Sequence, residues 1–243
     1  MGMNQRHQYD ILKEWLNHSK KTVVLTGAGM STESGIPDFR SQSGWWKQID
    51  PRTVATVEAL EQNYSLFHAF YTRRIQALAN CVPHEGHRIL ADWERKGLID
   101  CVATQNVDGF HRVAGSKNVE ELHGSIQMIR CQACGHSESL ESFLNEESCT
   151  RCVGKLRPNV VLFGEVLPQD SWQRTIHHIQ EAKLVLVIGT SLEVYPVNQL
   201  PTMTKGKTVY INLEIPANVN YFDLTIEGKA KEVLQQVNEG LDV

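Results

Sequence analysis

The chain has 243 residues, 41% of them hydrophobic and 21% charged, which is an ordinary balance for a soluble globular protein. This length can bury a sizeable core, and the net charge of −4 argues against a protein held to nucleic acid by bulk electrostatics. No apolar run approaches the roughly 20 residues of a membrane span, and the start of the chain lacks the apolar segment of a signal peptide. We therefore expect a cytoplasmic monomer without a membrane or nucleic-acid partner.

The predicted elements alternate between helices and strands. Helices are predicted from the helical spacing of apolar side chains, over 7–20, 57–79, 86–96, 172–181 and 229–238. Strands are predicted from short apolar or β-branched runs, over 22–26, 98–104, 119–125 (running into a loop), 159–163, 183–188 and 208–212. The stretch 41–56 reads as a long loop, which in a compact domain is often a functional lid. Its Trp45 and Trp46 either cover a ligand or pack beneath the loop.

This alternation predicts an α/β fold, a doubly wound parallel sheet of the Rossmann-like kind with helices on both faces. Ligands of such sheets bind outside the carboxyl ends of the strands. Polar segments follow four of the predicted strands, at 27–34, 104–108, 189–191 and 212–214. We expect these segments to meet in one crevice.

The turn after the first predicted strand has the composition of an anion site. Gly27 and Gly29 allow the backbone to approach a ligand closely. Ser31 and Thr32 supply hydroxyls near a predicted helix start, where free N–H groups and the helix dipole favour a phosphate. Thr32 stands where the G-x-G-x-x-G pattern has its third glycine, so a tight connection between strand and helix stays an alternative.

The residues beyond this turn suit a charged ligand that carries a ring. Asp38, Phe39 and Arg40 supply an acid, an aromatic ring and a cation, a set for which a structural turn has little use. Later in the chain, T-Q-N-V-D-G at 104–109 offers two amides and one acid that can hydrogen-bond a ribose and a carboxamide, although an Asx-rich turn is the alternative. Asp108 needs a donor nearby, because burial would otherwise raise its pKa.

Four of the six cysteines form two C-x-x-C pairs separated by 14 residues: Cys131, Cys134, Cys149 and Cys152. Two such pairs on knuckle turns give a tetrahedral Zn–S₄ site, and four thiolates leave no open position on the metal. The residues between the pairs offer almost no core, so the lobe needs the metal to fold. The sequence predicts a structural zinc module inserted at about 126–157, with free or redox-active thiols as the alternative.

His123 is the candidate general base. It stands at the end of a predicted strand, before a glycine, where the crevice is expected. Imidazole titrates near neutral pH and is the commonest general base. The chain has ten histidines, and any one of them can instead be solvated or buried in the core.

These segments together resemble the sirtuins, the NAD-dependent protein deacylases. G-A-G-M-S-T-E-S-G-I-P-D-F-R-S at 27–41 is similar to their cofactor-binding signature, and 104–109 is similar to their T-Q-N-x-D-G. L-H-G at 122–124 resembles the motif of the catalytic histidine, and the four-cysteine module is also a family feature. The resemblance extends through G-T-S and N-x-E to G-K-A at 228–230, so the whole of 1–243 is identified as a catalytic core of this family.

The resemblance implies that NAD is consumed as a co-substrate and that an acyl-lysine protein or peptide is the second substrate. It assigns NAD contacts to Gly27, Ala28, Gly29, Ser31, Thr32, Asp38, Phe39, Arg40, Gln105, Asn106, Val107, Asp108, Gly189, Thr190, Ser191, Asn212, Leu213, Glu214 and Ala230. It implies that the acyl oxygen attacks the ribose carbon as nicotinamide leaves, after which His123 takes a proton from a ribose hydroxyl. The products are free lysine, nicotinamide and O-acyl-ADP-ribose. Phe163, Gly164 and Glu165 resemble the loop that lines the acyl-lysine tunnel.

Three residues of a loop and helical segment at about 42–85 resemble the pocket of sirtuins that take negatively charged acyl groups. Tyr71 and Arg74 stand at i and i+3 of a predicted helix, so they share a face and can hold the distal carboxylate of succinyl-lysine. Ala55 leaves room at the pocket floor. The alternative is that Tyr71 is a core residue and Arg74 a solvated charge on the helix surface.

We expect the protein to remove acetyl groups and also succinyl or malonyl groups from lysine. A mono-ADP-ribosyltransferase on the same fold and a non-catalytic NAD-sensing module are the rival functions.

Overall fold

The computed structural model describes residues 4–39, 41 and 44–241. Its strands are β1 (Thr22–Thr26), β2 (Cys101–Thr104), β3 (Val119–Glu121), β4 (Gly124–Cys131), β5 (Ser137–Glu138), β6 (Leu156–Val160), β7 (Leu184–Ile188), β8 (Lys207–Asn212) and β9 (Leu224–Glu227). Its α-helices are α1 (Gln5–His18), α2 (Trp45–Gln48), α3 (Val57–Gln62), α4 (Tyr64–Ala79), α5 (Glu85–Arg95), α6 (Phe110–Val113), α7 (Leu140–Leu144), α8 (Gln169–Glu181) and α9 (Ala230–Asn238). Within this described part, no helix has the length and apolar character needed to cross a membrane.

Six strands form one parallel sheet in the order β3-β2-β1-β7-β8-β9. The chain runs outward from β1 to β3 on one side and from β7 to β9 on the other, which is the strand order of doubly wound nucleotide-binding sheets. Thr26 at the end of β1 pairs with Thr104 of β2 and Ile188 of β7, so these carboxyl ends are level. The order reverses between β1 and β7, where such sheets bind their ligands. The predicted α/β fold is confirmed.

Helices cover both faces of this sheet, because side chains alternate along each strand. Val24 and Leu186 pack with α1, α5 and α9 on one face. Val23 and Val185 pack with α8 on the other face. Every residue of β1 and β7 is buried, which explains why both strands are unbroken runs of apolar and β-branched residues rather than alternating patterns.

A second sheet, antiparallel and in the order β5-β4-β6, lies in the region predicted to carry the metal module. Ile129 and Leu156 from this sheet share one buried cluster with Phe67 of α4. The hydroxyl of Tyr64 donates to the Leu156 carbonyl at 2.8 Å. The small sheet is thus joined to α4 by core packing, while the predicted limits of the two regions, 126–157 and 42–85, stay predictions.

The structure corrects two of the predicted elements, and one strand of the parallel sheet was not predicted. The single helix predicted over 57–79 is two helices, because Asn63 leaves the helical conformation (φ −141°, ψ 66°) and its side chain accepts the Leu66 N–H at the start of α4. The strand predicted over 159–163 is β6, which pairs with β4 in the small sheet. The prediction missed β9, because its four residues, Leu-Thr-Ile-Glu, give too short an apolar pattern.

Candidate active site

A cavity of about 900 Å³, called the crevice below, opens at the carboxyl ends of the parallel strands. The loops after β1, β2, β7 and β8 line it with Gly27, Ala28, Gly29, Gln105, Asn106, Val107, Gly189, Thr190, Ser191, Asn212, Leu213 and Glu214. It is also lined by Asp38, Phe39, Trp46, Ala55, Tyr71, Arg74, His123, Phe163, Gly164 and Glu165. The four segments expected to meet from the sequence therefore do meet.

The loops after β1 and β7 contact each other through glycines. The Gly27 N–H donates to the Ile188 carbonyl at 3.0 Å, and the Gly29 N–H donates to the Gly189 carbonyl at 2.8 Å. A Cβ on Gly29 would lie 2.9 Å from the Cα of Gly189, closer than real Cβ contacts. Glycine is needed here to let two backbones meet at the floor of the crevice.

The helix start predicted after this turn is instead two short 3₁₀ turns, Ala28–Met30 and Thr32–Ser34. The hydroxyl of Thr32 donates to the Gly29 carbonyl at 3.0 Å, and Thr32 is exposed outside the lining of the crevice. An anion site here would therefore use the backbone of a glycine turn rather than the dipole of an α-helix.

Ser31 lies beneath the crevice and joins two residues of the T-Q-N-V-D-G segment. Its hydroxyl donates to Asp108 Oδ2 at 2.7 Å and accepts from Asn106 Nδ2 at 3.1 Å. The Phe110 N–H donates to the other oxygen of Asp108 at 2.9 Å. Burial raises the pKa of Asp108, although the hydrogen bonds from Phe110 and Ser31 oppose the rise. The donors that the sequence required for Asp108 are present, and they fix the Asn106 amide at the wall of the crevice.

His123 lies in the crevice with one ring nitrogen held. Its Nδ1 is 3.0 Å from the backbone carbonyl of Gln105. A carbonyl oxygen can only accept, so Nδ1 carries the proton and Nε2 keeps a free lone pair. Burial lowers the pKa of His123 below its ordinary value of 6.5, against the opposing hydrogen bond to Gln105. The imidazole is therefore neutral at pH 7 and able to accept a proton at Nε2.

Aromatic rings and one guanidinium form another part of the crevice wall. The Arg74 guanidinium carbon lies 5.1 Å from the ring centre of Phe39 and 5.6 Å from those of Phe70 and Tyr71. Burial lowers the pKa of Arg74, with Tyr71 and Asp108 opposing, yet arginine keeps its charge in proteins. Within the described ranges, no carboxylate forms an ion pair with Arg74. The wall thus carries a positive charge whose partners are aromatic faces.

The structure brings together the sulfur atoms of the four cysteines predicted to bind a metal. The Sγ atoms of Cys131, Cys134, Cys149 and Cys152 all lie within 4.8 Å of one another. Tetrahedral Zn–S bonds of about 2.3 Å place sulfur atoms about 3.8 Å apart, and two of the pairs here are separated by 3.4 and 3.7 Å. The donor set and spacing fit one structural zinc ion without an open position.

Other predicted residues lie apart from the crevice or outside the described chain. Arg40 is outside the described residues. Ala230 begins α9 and is buried in the core on one face of the sheet, away from the crevice lining. Of the two loop tryptophans, Trp46 lines the crevice, whereas Trp45 packs beneath the loop. Trp172 and Tyr195 also line the crevice, although the sequence did not predict them as site residues. No motif contains Tyr195, and only the fold brings this exposed side chain to the crevice wall.

Comparison with known proteins gives the class first. The fold and the crevice are those of a dinucleotide-binding α/β protein, and the Sir2 family model matches residues 27–196. An NAD-dependent protein deacetylase of Oceanobacillus iheyensis is 45% identical over 236 residues, covering 95% of this chain and all of that protein. NAD-dependent protein deacetylase 1 of Geobacillus kaustophilus is 48% identical over 235 residues, covering 95% and 97%. This chain belongs to the Sir2 family.

Solved structures agree over nearly the whole chain. A Sir2 homologue in complex with NAD superimposes with a TM-score of 0.89 at 36% identity, covering 96% of this chain and 93% of that one. A Sir2 variant with a deacetylated p53 peptide and 3′-O-acetyl ADP-ribose gives a TM-score of 0.91 at 36% identity, covering 96% and 98%. The residues of this chain fit NAD on their own evidence, because a crevice of about 900 Å³ at the strand ends is lined by the backbone of Gly27 and Gly29, the amides of Gln105 and Asn106 and the carboxylate of Glu214.

Proposed function

We propose that this chain is an NAD-dependent protein-lysine deacylase that removes acetyl groups and also succinyl and malonyl groups. The observation that carries the proposal is that one crevice contains a neutral imidazole, polar loops from four strands and a guanidinium that forms no ion pair with a carboxylate of the described residues. The relatives are NAD-dependent deacetylases and deacylases, which supports the reaction type. When bound, NAD supplies the ribose carbon that takes the acyl oxygen as nicotinamide leaves.

His123 is proposed as the general base. Its Nδ1–H donates to the Gln105 carbonyl, which holds the ring and leaves Nε2 unprotonated. A ribose hydroxyl is the group whose proton Nε2 would accept. Asn106, held by Ser31, and Asp108 are proposed to hold the nicotinamide portion. The loops after β7 and β8 are proposed to hold the phosphates and the adenosine ribose.

The acyl group is proposed to lie between two walls. Tyr71 and Arg74 of α4 form one, and Phe163 forms the other. The Phe163 N–H donates to the Ala55 carbonyl at 2.8 Å, so the small side chain of Ala55 lies where the two walls join. A distal carboxylate would pair with Arg74, for which an ionic hydrogen bond contributes about 1.5–3 kcal/mol. An acetyl group would use the same walls without that pair.

The experiment is a panel of acetyl-, propionyl-, succinyl- and malonyl-lysine peptides with NAD, run on wild type, Arg74→Met and Arg73→Met. Arg73 is the matched control, because it is the neighbouring arginine of α4 but lies exposed, 5.8 Å from the ring centre of Trp45. We expect Arg74→Met to lower kcat/KM for succinyl-lysine about 30-fold, equivalent to about 2 kcal/mol. Acetyl-lysine removal should change by less than about threefold, and Arg73→Met should resemble wild type.

Two results of this panel would count against the proposal. Succinyl removal that is insensitive to Arg74→Met would reject the acidic acyl groups as substrates. A wild-type enzyme that releases no nicotinamide with any acyl peptide would reject the deacylase reaction. The cytoplasmic location, the monomeric state and the lack of a nucleic-acid partner stay predictions from the sequence.

A further inference from the structure

One arginine of β6, Arg157, is fully buried and makes no hydrogen bond to the proposed base His123. Arg157 has no exposed surface. Its side chain makes five hydrogen bonds, and a guanidinium has five N–H donors. Every donor is therefore paired, as a buried charge requires.

Two side chains that accept from Arg157 belong to different parts of the molecule. Gln132 lies between Cys131 and Cys134 on the first cysteine knuckle, and its Oε1 accepts from Arg157 Nη1 at 3.1 Å. Glu165 ends the turn at the crevice wall, and its two oxygens accept from Nη1 and Nη2 at 2.7 and 2.9 Å. This bidentate pair fixes orientation as well as distance.

The Glu165 carboxylate, in turn, holds its own loop. One of its oxygens accepts the Leu162 N–H at 2.8 Å, and the Glu165 N–H donates to the Leu162 carbonyl at 3.0 Å. Burial would raise the pKa of Glu165, but the hydrogen bonds from Arg157 and Leu162 outweigh it and lower the pKa. The carboxylate is thus ionised and committed to internal contacts, although the residue lines the crevice.

The turn fixed in this way joins the base to the acyl pocket. The Val161 N–H donates to the His123 carbonyl at 2.9 Å, and the Phe163 N–H donates to the Ala55 carbonyl at 2.8 Å. A displacement of the turn would therefore move the acyl-side wall relative to His123. The loops after β7 and β8 make none of these contacts.

We infer that Arg157 is a positioning residue for the acyl-lysine substrate, because it ties the 161–165 turn to the cysteine module through Glu165 and Gln132. The inference rests on the proposed deacylase function, since this turn is the proposed acyl-lysine wall. Lysine at this position would keep the charge but lose the fork that engages both oxygens of Glu165.

The test compares Arg157→Lys and Glu165→Gln with the matched control Arg130→Met. Arg130 lies opposite Arg157 in the β4–β6 pairing and 3.6 Å from Glu165, without a bidentate contact. We expect both test variants to raise KM for an acetyl-lysine peptide roughly tenfold, while KM for NAD and the Kd for ADP-ribose change less than about twofold. The control should stay within about twofold of wild type for every constant.

Two results would overturn the inference. Unchanged peptide KM in both test variants would do so, as would a rise in the NAD and peptide constants by the same factor, which a general loss of structure produces. If Arg157→Lys fails to bind ADP-ribose, the test rests on Glu165→Gln alone. Glutamine keeps the shape of the glutamate side chain, and Glu165 is partly exposed, so this variant is expected to fold. If the wild type releases no nicotinamide in the presence of an acyl peptide, the proposed function itself is rejected. If the wild type is active and both variants behave like it, only the role of Arg157 is rejected.

Discussion

His123 obtains its chemical state from two local features, burial and the carbonyl of Gln105. The carbonyl selects the tautomer in which Nε2 is free. Burial favours the neutral ring and lowers its pKa from 6.5. The tautomer leaves Nε2 able to accept a proton, and burial keeps the ring unprotonated although the hydrogen bond to Gln105 opposes the lowering of the pKa.

The pH profile should reflect this state. Since the pKa of His123 is lowered from 6.5, most of the base is unprotonated at pH 7. Between about pH 8 and 5 we expect kcat/KM for an acetyl-lysine peptide to fall along an acid limb whose midpoint lies below 6.5. Steady-state rates across this range check the prediction. An acid limb with its midpoint above 6.5 would contradict the state assigned to His123.

Single residues were predictable from sequence where a motif carries the chemistry, and not where folding supplies the partner. His123 and the crevice residues of 104–108 follow from motif and strand position. The contacts of Ser31 with Asn106 and Asp108 join positions 75 and 77 residues apart. The partnership of Glu165 with a buried arginine depends on the antiparallel pairing of β6 with β4, which the predicted strand over 159–163 did not reveal.

Among the elements, the contact between the loops after β1 and β7 makes a glycine indispensable. Gly189 has φ +63°, and a Cβ on it would lie 2.3 Å from the Met30 nitrogen. Gly97 has a similar φ of +76° but no atom within 4 Å of a Cβ. Substitutions at these two glycines can therefore distinguish the free-energy cost of a left-handed backbone from the cost of a steric clash.

We expect Gly189→Ala to lower the free energy of unfolding more than Gly97→Ala does. The left-handed conformation costs about 1–2 kcal/mol at both sites, and overpacking adds about 1–3 kcal/mol only at Gly189. Urea denaturation of both variants measures the difference. Equal losses would show that the two loops do not meet as described.

The cysteine module should depend on its metal. Its antiparallel sheet has three strands, and apolar residues of this sheet share a buried cluster with α4. We expect Cys149→Ser to lower the zinc content from one ion per chain and to speed amide hydrogen exchange in β4 and β6, while the parallel sheet keeps its protection. Exchange measured by mass spectrometry checks this. Unchanged protection of β4 in the metal-depleted variant would contradict a folding role for the metal.

Long, regular elements were predictable because their patterns are strong. β1 and β7 are continuous buried runs, and α5 and α9 carry clear helical spacing. The break at Asn63 was missed because the apolar spacing continues across it, and only the capping contact to Leu66 shows the restart. β9 was missed because its four residues give too short a pattern, and β4 because a register shift between Ser125 and Ile129 interrupts its alternation.

Across the whole molecule, a row of buried histidines links α5 to the floor of the sheet. The rings of His84 and His87 are 4.3 Å apart, and those of His87 and His111 are 5.0 Å apart. Burial, with the neighbouring histidines, lowers the pKa of His87 to about 2 and that of His111 to about 3. The folded protein therefore keeps both rings neutral in a range where the unfolded chain protonates them.

Stability should fall as the pH drops below 6.5. The unfolded state then binds more protons than the folded state, so the free energy of unfolding decreases by up to about 1.4 kcal/mol per pH unit for each such histidine. Above 6.5 these groups contribute no pH dependence. We expect His111→Asn to reduce the slope between pH 6.5 and 5 by about 1 kcal/mol per pH unit, measured by urea denaturation at several pH values. An unchanged slope would contradict the neutral buried state of His111.

The molecule as a whole brings loops from separate strands, an imidazole and an acyl-side wall around one crevice. The most direct test compares wild type with His123→Ala, measuring nicotinamide release with an acetyl-lysine peptide and, separately, ADP-ribose binding by calorimetry. The account predicts that the substitution lowers deacylation at least about 100-fold, whereas the Kd for ADP-ribose changes less than about twofold. Full deacylation by the variant would contradict the account.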